Sequence, residues 1–223
     1  MRPLQIIYQD QDIIAINKPS GVLVHKTKIA SQDLVNCVDL LRNQILQPVF
    51  PIHRLDRATS GVLLFALNSK IAKQLSQLFE QRKIEKKYVA ITRGYLADEG
   101  EIDRPLKKTP QHEPKEAFTH YKTLKTMELP HAVGKYKTAR YSLVELKPKT
   151  GRRNQIRRHL RGVSHPIIGD TTHGDSRHNI FFKEHFKLDR LLLHAEELSF
   201  NHPIHLKKVN LSIKSPKKWL EIF

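Results

Sequence analysis

Apolar positions change period along this chain, and each change marks an element. "QIIYQDQDIIAINKPSGVLVH" reads as short strands broken by turns, with Pro19 fixing its own backbone and Gly21 open to positive φ. Leu34, Val38, Leu41 and Ile45 recur at steps of four, three and four, which predicts an amphipathic helix with Ser31 or Asp33 near its cap. "GVLLFAL" is a continuous apolar run, the signature of a buried strand. In "SKIAKQLSQLFEQRK" the residues Ile71, Leu75, Leu78 and Phe79 fall on one helical face. "KKYVAITRG" is the next strand, and residues 97–137, poor in apolar positions, read as a surface excursion with one strand near "FTHYKTL".

"YSLVELKPKTGRRNQIRRHLRG" predicts a strand, a turn and a short helix, with Thr150 as N-cap and Gly162 as the C′ stop. "HPIIGD" and "RLLLHAEELSF" are short strand-like pieces. Val209, Leu211 and Ile213 alternate as in a half-buried strand, and "SPKKWLEIF" places Ser215 as cap and Pro216 at the first position of a last helix. Strands outnumber helices without alternating strictly with them. The expected fold is therefore mixed α+β with a largely antiparallel sheet. No repeat and no low-complexity tract interrupts it.

At 223 residues the chain can bury a core as one large domain or two small ones, and 39% apolar content suits a globular protein. Charge changes the picture most. Lys and Arg number 39 against 22 Asp and Glu, a formal net charge of +17. Such a surface either meets a polyanion, nucleic acid first among them, or only solubilises the protein. The lone Cys37 rules out an internal disulfide, reads as a small core residue and fits a reducing cytoplasm. The N-terminus lacks a signal-peptide pattern, and no apolar run reaches the roughly 18 residues of a membrane span. A soluble, intracellular protein is expected.

Several chemistries lack their motifs. There is no phosphate loop, no dinucleotide fingerprint, no zinc-protease helix and no serine elbow. Thirteen histidines are scattered, and "HPIH" (His202 to His205) reads as a solvated strand end rather than a metal site. Chemistry is left to carboxylate, arginine, tyrosine or lysine.

Three clusters offer it. In "HRLDRATSG" Asp56 stands between Arg54 and Arg57 where a loop enters the "VLLFAL" strand. Either the cations keep the carboxylate ionised as a nucleophile or counter-ion, or Asp56 caps a turn and pairs with a surface arginine. In "KTGRRNQIRRHLRG" six Lys or Arg residues and His159 fall within fourteen positions. A helix there would put Arg153 and Arg157 on one face, anchored by Ile156 and Leu160, and turn its charge toward phosphates. Tyr88, at the start of its strand beside basic residues, either packs in the sheet or stacks on a base.

These stretches together resemble the RluA-type pseudouridine synthases. "NKPSGVLVH", "HRLDRATSGVLLFA", "KKYVAITRG", "TGRRNQIRRHL" and "HPIIGD" arrive in that family's order, from residue 4 to about 205. "YSLVELKPKTGRR" and "HPIIGDTTHGDSRHN" resemble in particular the branch acting at uridine 65 of tRNA. The resemblance implies one catalytic domain over residues 1–223, a bent sheet flanked by helices around a central cleft, and no N-terminal S4-type domain. It implies a monomeric, cytoplasmic isomerase with no metal or small-molecule cofactor and no membrane partner. Such an enzyme cleaves the N1–C1′ bond of a uridine, turns the base and rejoins it through C5. By the motif match, Asp56 attacks the target nucleotide, Tyr88 packs on the flipped base, and Arg157 pairs with the aspartate. Arg54 fills the vacated RNA stack, and Arg57, Arg153 and Arg158 belong with it among the RNA contacts. Asn154 departs from the histidine common at its position. A ribosomal RNA synthase and a non-catalytic RNA-binding protein are the competing readings; a carboxylate facing phosphates would serve only an enzyme.

Overall fold

The computed structural model describes residues 3–26 and 35–223. In chain order its elements are β1 (Gln5–Gln9), β2 (Ile13–Lys18), α1 (Cys37–Ile45), β3 (Phe50–Pro51), β4 (Ser60–Ala66) and α2 (Ser69–Glu80). There follow β5 (Glu85–Arg93), β6 (Glu99–Asp103), β7 (Phe118–Leu129), β8 (Ala139–Pro148), α3 (Gln155–Gly162), α4 (Ser176–Phe186), β9 (Leu193–Asn201), β10 (Lys208–Ser212) and α5 (Lys217–Leu220). Every strand pair with a described register is antiparallel, in line with the mixed α+β expectation. The residues form two compact units, one of Met1–Lys86 with Ala195–Ile213 and one of Lys87–His194 with Lys214–Phe223.

In the first unit the strands run β1-β2-β4-β9, with β10 on β9 and β3 on β4. All seven residues of β4 are buried, as its unbroken apolar run requires. Val62 and Leu64 pack with Ile13 and Ala15 of β2, Ile71 and Leu75 of α2, and Val209 and Leu211 of β10. Gly61 is obligatory here, because its φ is +115° and a Cβ would lie 2.1 Å from the carbonyl oxygen of Ala195. Asn68 caps α2 by accepting from the Ile71 amide. Asn36, accepting from Asp39, caps α1, so the helix starts later than the Leu34 spacing suggests; Ser31, Asp33 and Leu34 lie outside the described residues. Cys37 is fully buried, and that burial pushes its thiol pKa up to about 11, as expected of a small core residue.

The second unit orders its strands β5-β8-β7-β6. Its core joins Val89 and Ile91 to Tyr141, Leu143, Phe181, Phe182, Leu192 and Trp219. Four expectations change here. Residues 97–137 carry two paired strands, β6 and the twelve-residue β7, not one. β7 escapes hydropathy because most of its residues face solvent or sit half-buried and its polar backbone is satisfied by β6 and β8. Helix α4 has no clear sequence signature, since "SRHNIFFKEHF" spreads its apolar residues without a clean stripe; Asp175 caps it. Pro216 occupies the cap position of α5 rather than its first turn. Thr150 is not the N-cap of α3; Asn154 is, and Gly162 is the last helical residue rather than the stop beyond it. No helix among the described residues is long and apolar enough to cross a membrane.

Candidate active site

The Asp56 loop is fixed at several points within the first unit. At its start, His53 Nε2 accepts the Leu64 amide of β4 at 2.9 Å, and its ring stacks on Phe79 with centroids 4.8 Å apart. Burial, and behind it the charge of Lys86, pushes the His53 pKa down to about 3, so the ring is neutral at physiological pH. Leu55 is buried and pegs the loop to the core. Arg54 and Arg57 on either side are exposed, and Asp56 is half-buried. A turn then closes with the Thr59 amide donating to the Asp56 carbonyl at 3.1 Å.

The "KPSG" segment clamps that turn. Lys18 is fully buried, and its Nζ donates to the carbonyls of Pro19 at 3.0 Å, Arg57 at 3.0 Å and Thr59 at 2.8 Å. Three ammonium donors thus meet three carbonyls. Ser20 Oγ donates to the Ala58 carbonyl at 2.7 Å, and the Gly21 amide donates to the Arg57 carbonyl at 2.8 Å. Arg57 turns its Nε to the Gly21 carbonyl at 2.8 Å. Its Nε is therefore engaged in bracing the loop.

In the second unit, Tyr88 is half-buried on β5, opposite Leu146 of β8. Arg157 lies on α3 and is buried. Its Nε and Nη2 donate to the two oxygens of Asp170, both at 2.7 Å. Burial works to raise the Asp170 pKa, but the bonds from Arg157 and from the His173 and Thr172 amides outweigh it and hold the carboxyl below its ordinary range. Arg157 Nη1 also donates to Asn154 Oδ1 at 3.2 Å. Asn154 thus orients the arginine while sitting at φ 54°, a left-handed conformation asparagine tolerates. Gln155, buried, accepts from the Thr150 hydroxyl and the Arg152 amide and donates to the Phe118 carbonyl, locking the start of α3.

The expected sharing of one helical face by Arg153 and Arg157 is accordingly revised. Arg153 precedes α3, so it does not share a helical face with Arg157, whose guanidinium is committed to a buried carboxylate. Arg153 is exposed, while Arg158 is half-buried and donates to the Lys107 carbonyl at 2.8 Å. Asp56, Arg54 and Arg57 are gathered in the first unit, and Tyr88, Arg153, Arg157 and Arg158 belong to the second. Residue-by-residue reading misses Lys18 and Asp170, although both lie inside quoted motifs. A lysine ending an apolar strand, and an aspartate after "PIIG", are their available signals.

The "HPIH" histidines also differ from expectation. His202 is only 1% exposed, so it is not a solvated strand end. Asp10, His202 and His205 each offer a ligand atom within 4.8 Å of the others. The two imidazoles, however, stack with centroids 4.0 Å apart and planes 7° apart. Stacked rings hold their lone pairs in parallel planes, and one ion cannot lie in both. Backbone amides of Ile204 and Lys207 also point at the two Nδ1 atoms. The cluster is a packed pair beside a carboxylate and does not fit a shared metal.

Fold and site define a basic α+β protein that holds one carboxylate on a preorganised loop. The chain belongs to the RNA pseudouridylate synthase family, whose profile matches residues 12–161. It is 49% identical to a protein of Haemophilus ducreyi named tRNA pseudouridine synthase C, over 99% of this chain and 94% of the relative. A relative of the same name from Vibrio vulnificus is 46% identical with the same coverage. Another, from Pectobacterium carotovorum, is 48% identical over 97% of this chain, which spans 60% of that longer protein. Among solved structures, human RNA pseudouridylate synthase domain containing 1 is similar with a TM-score of 0.74 and 26% identity, covering 97% of this chain and 87% of that one.

Proposed function

We propose that the protein isomerises uridine to pseudouridine in tRNA, at uridine 65 in the T arm. Family membership supports the reaction, and the shared name of relatives covered over 94% of their length supports tRNA as substrate. The observation that carries the reading is the loop around Asp56, braced by His53, Leu55 and Lys18, because a nucleophile gains from being held in place before the substrate arrives.

In this reading Asp56 attacks the target nucleotide as the N1–C1′ bond breaks. The detached base turns, the C5–C1′ bond forms and the carboxylate is released. C5 then loses its proton and N1 gains one, so the product is an isomer and no water is consumed. The target sits in a duplex stem, so it must leave its pair and its stack, at a few kcal/mol. Arg54, exposed two residues before Asp56, fills the vacated space. Tyr88 packs on the turned base and its hydroxyl handles the C5 proton, while Arg157, oriented by Asp170, acts on the same nucleotide. Arg57, Arg153 and Arg158 contact RNA, with Arg57 also bracing the loop.

Residues 1–223 serve this reaction as one monomeric catalytic domain in the cytoplasm, without metal or organic cofactor. Product formation that vanished on dialysis against a chelator and returned with a divalent ion, the RNA staying folded, would contradict that. The main test incubates purified protein separately with tRNA and ribosomal RNA transcripts and maps pseudouridine at nucleotide resolution. Asp56→Asn, nearly isosteric but uncharged, is expected to lower product formation by about 10⁴-fold or more, the scale of removing a nucleophile, while RNA binding persists. Modification of ribosomal RNA alone would overturn the substrate, and near-normal turnover by Asp56→Asn would overturn the mechanism.

A further inference from the structure

The tip of the β7–β8 hairpin, residues 130–138, builds a feature that the reaction above leaves unused. Val133 is buried in the second unit's core and bridges Tyr136 across the tip. Gly134 has φ +71°, and a Cβ there would meet Arg177 Nη1 at 2.7 Å, so glycine lets the tip close against that arginine. The tip borders a groove of about 590 Å³ within the second unit. Lys135, Lys137, Arg140 and Arg177 line it with Tyr95 and Tyr136. No residue of the Asp56 loop or of α3 takes part.

Its charge is only partly compensated. Arg177 shares the single carboxylate of Asp175 with Arg93, also in the lining, at 3.2 and 2.7 Å. Arg140 pairs with Glu128 at 3.3 Å. Lys135 and Lys137 are exposed and have no carboxylate partner among the described residues. Five cations therefore face two acids. The tyrosines are unusually open, with Tyr136 63% and Tyr95 43% exposed. Each has a cation over its ring, Lys135 and Arg140 respectively, at 5.3 Å from the centroid. Cations alone would suit any polyanion. Cations interleaved with open aromatic faces suit RNA, whose phosphates need the first and whose unpaired bases stack on the second.

We infer that this hairpin groove is a second RNA-docking surface, which grips a strand of the substrate with residues that take no part in the reaction. The inference rests on the proposed RNA substrate. It adds a place where affinity is set apart from chemistry.

The test measures the Kd of a tRNA transcript by filter binding across a salt series. Lys135→Glu with Lys137→Glu is expected to raise Kd about tenfold and flatten the slope of log Kd against log salt by roughly 1 to 2, at about 0.7–0.9 for each phosphate no longer neutralised. Tyr136→Ala, which leaves the charge unchanged, is expected to weaken binding about fivefold or more. Lys217→Glu with Lys218→Glu makes the same change of charge on exposed positions of α5 and serves as the control. All these side chains are exposed, and matching circular dichroism and thermal midpoints would verify folding. Wild-type affinity in the hairpin variants, or losses equal to those of the α5 control, would overturn the inference. Pseudouridine formation by the wild type on the same transcript reports separately on the enzymatic reading.

Discussion

The Lys18 ammonium donates to the carbonyl of Thr59 at 2.8 Å from a fully buried position, joining the end of β2 to the turn that carries Asp56. With its bonds to Arg57 and Pro19, it replaces water for backbone that must stay in one shape next to a strand. A lysine at the end of an apolar run is thus a structural part of the candidate site.

Lys18→Met keeps the stem but removes every donor. The Arg57 carbonyl keeps the Gly21 amide, while each buried carbonyl left unpaired costs about 1–3 kcal/mol, so a stability loss of about 2 kcal/mol or more is expected in urea denaturation. Single-turnover rates are expected to fall further than the folded fraction does, because the turn beside Asp56 is released. Lys18→Arg is expected to rescue only in part, since a planar fork does not aim three donors from one nitrogen. A variant with wild-type stability and rate would show that the clamp is idle.

Arg157 and Asp170 form a buried, bidentate pair. Asp170→Asn removes the carboxylate charge that faces the buried Arg157 guanidinium, a change that costs about 3–5 kcal/mol. Arg157→Lys keeps the charge and loses the planar fork that meets both Asp170 oxygens, and a smaller loss is expected. In a double-mutant cycle read by urea denaturation, the two changes are expected to couple strongly; additive losses would mean that the pair does not act as one unit.

Tyr88→Phe separates packing from proton handling. The ring remains on β5, so RNA binding is expected to match wild type. Turnover is expected to fall by about 10²-fold or more, the usual scale for losing a positioned acid or base. Unchanged turnover would leave the hydroxyl without a role and make Tyr88 a packing residue only.

Local signals and long-range ones differ in how they read from sequence. Ile71, Leu75 and the β4 run announce their elements because burial imposes a period on neighbours in the chain. Asp56 is visible as chemistry because it sits inside an unusual string of charges. The bond of Lys18 to Thr59 spans 41 residues and that of Arg157 to Asp170 spans 13, and no periodicity encodes such pairs. Six clustered basic residues look like one helix, which puts Arg153 on the face of Arg157. Asn154, in a left-handed conformation, starts that helix only after Arg153. His202 reads wrongly as solvated because histidine spacing says nothing of burial.

Acid is expected to destabilise this protein, through histidines first and carboxylates second. Burial depresses the pKa of His53 to about 3 and also lowers those of His159, His178 and His202. An unfolded histidine titrates near about 6.5, so below that pH the unfolded chain binds protons that the folded chain refuses. Stability therefore falls as pH drops from about 6.5, and for His53 the fall continues to about 3. Asp170 and Asp175 act lower. Burial opposes their ionisation, but hydrogen bonds from arginines prevail, holding Asp170 below its ordinary range and Asp175 at about 2. Their stabilisation is complete above an unfolded pKa of about 3.9 and disappears as pH falls toward the folded values. Between about pH 6.5 and about 5 the histidines should set most of the slope. The check is the thermal midpoint at about pH 7.5, 5.5 and 4.5, which bracket that window. A steady decline is expected for the wild type, and a shallower one for His53→Gln, whose amide oxygen can still accept the Leu64 amide. A midpoint constant over that range would mean that these histidines take up protons in the folded state.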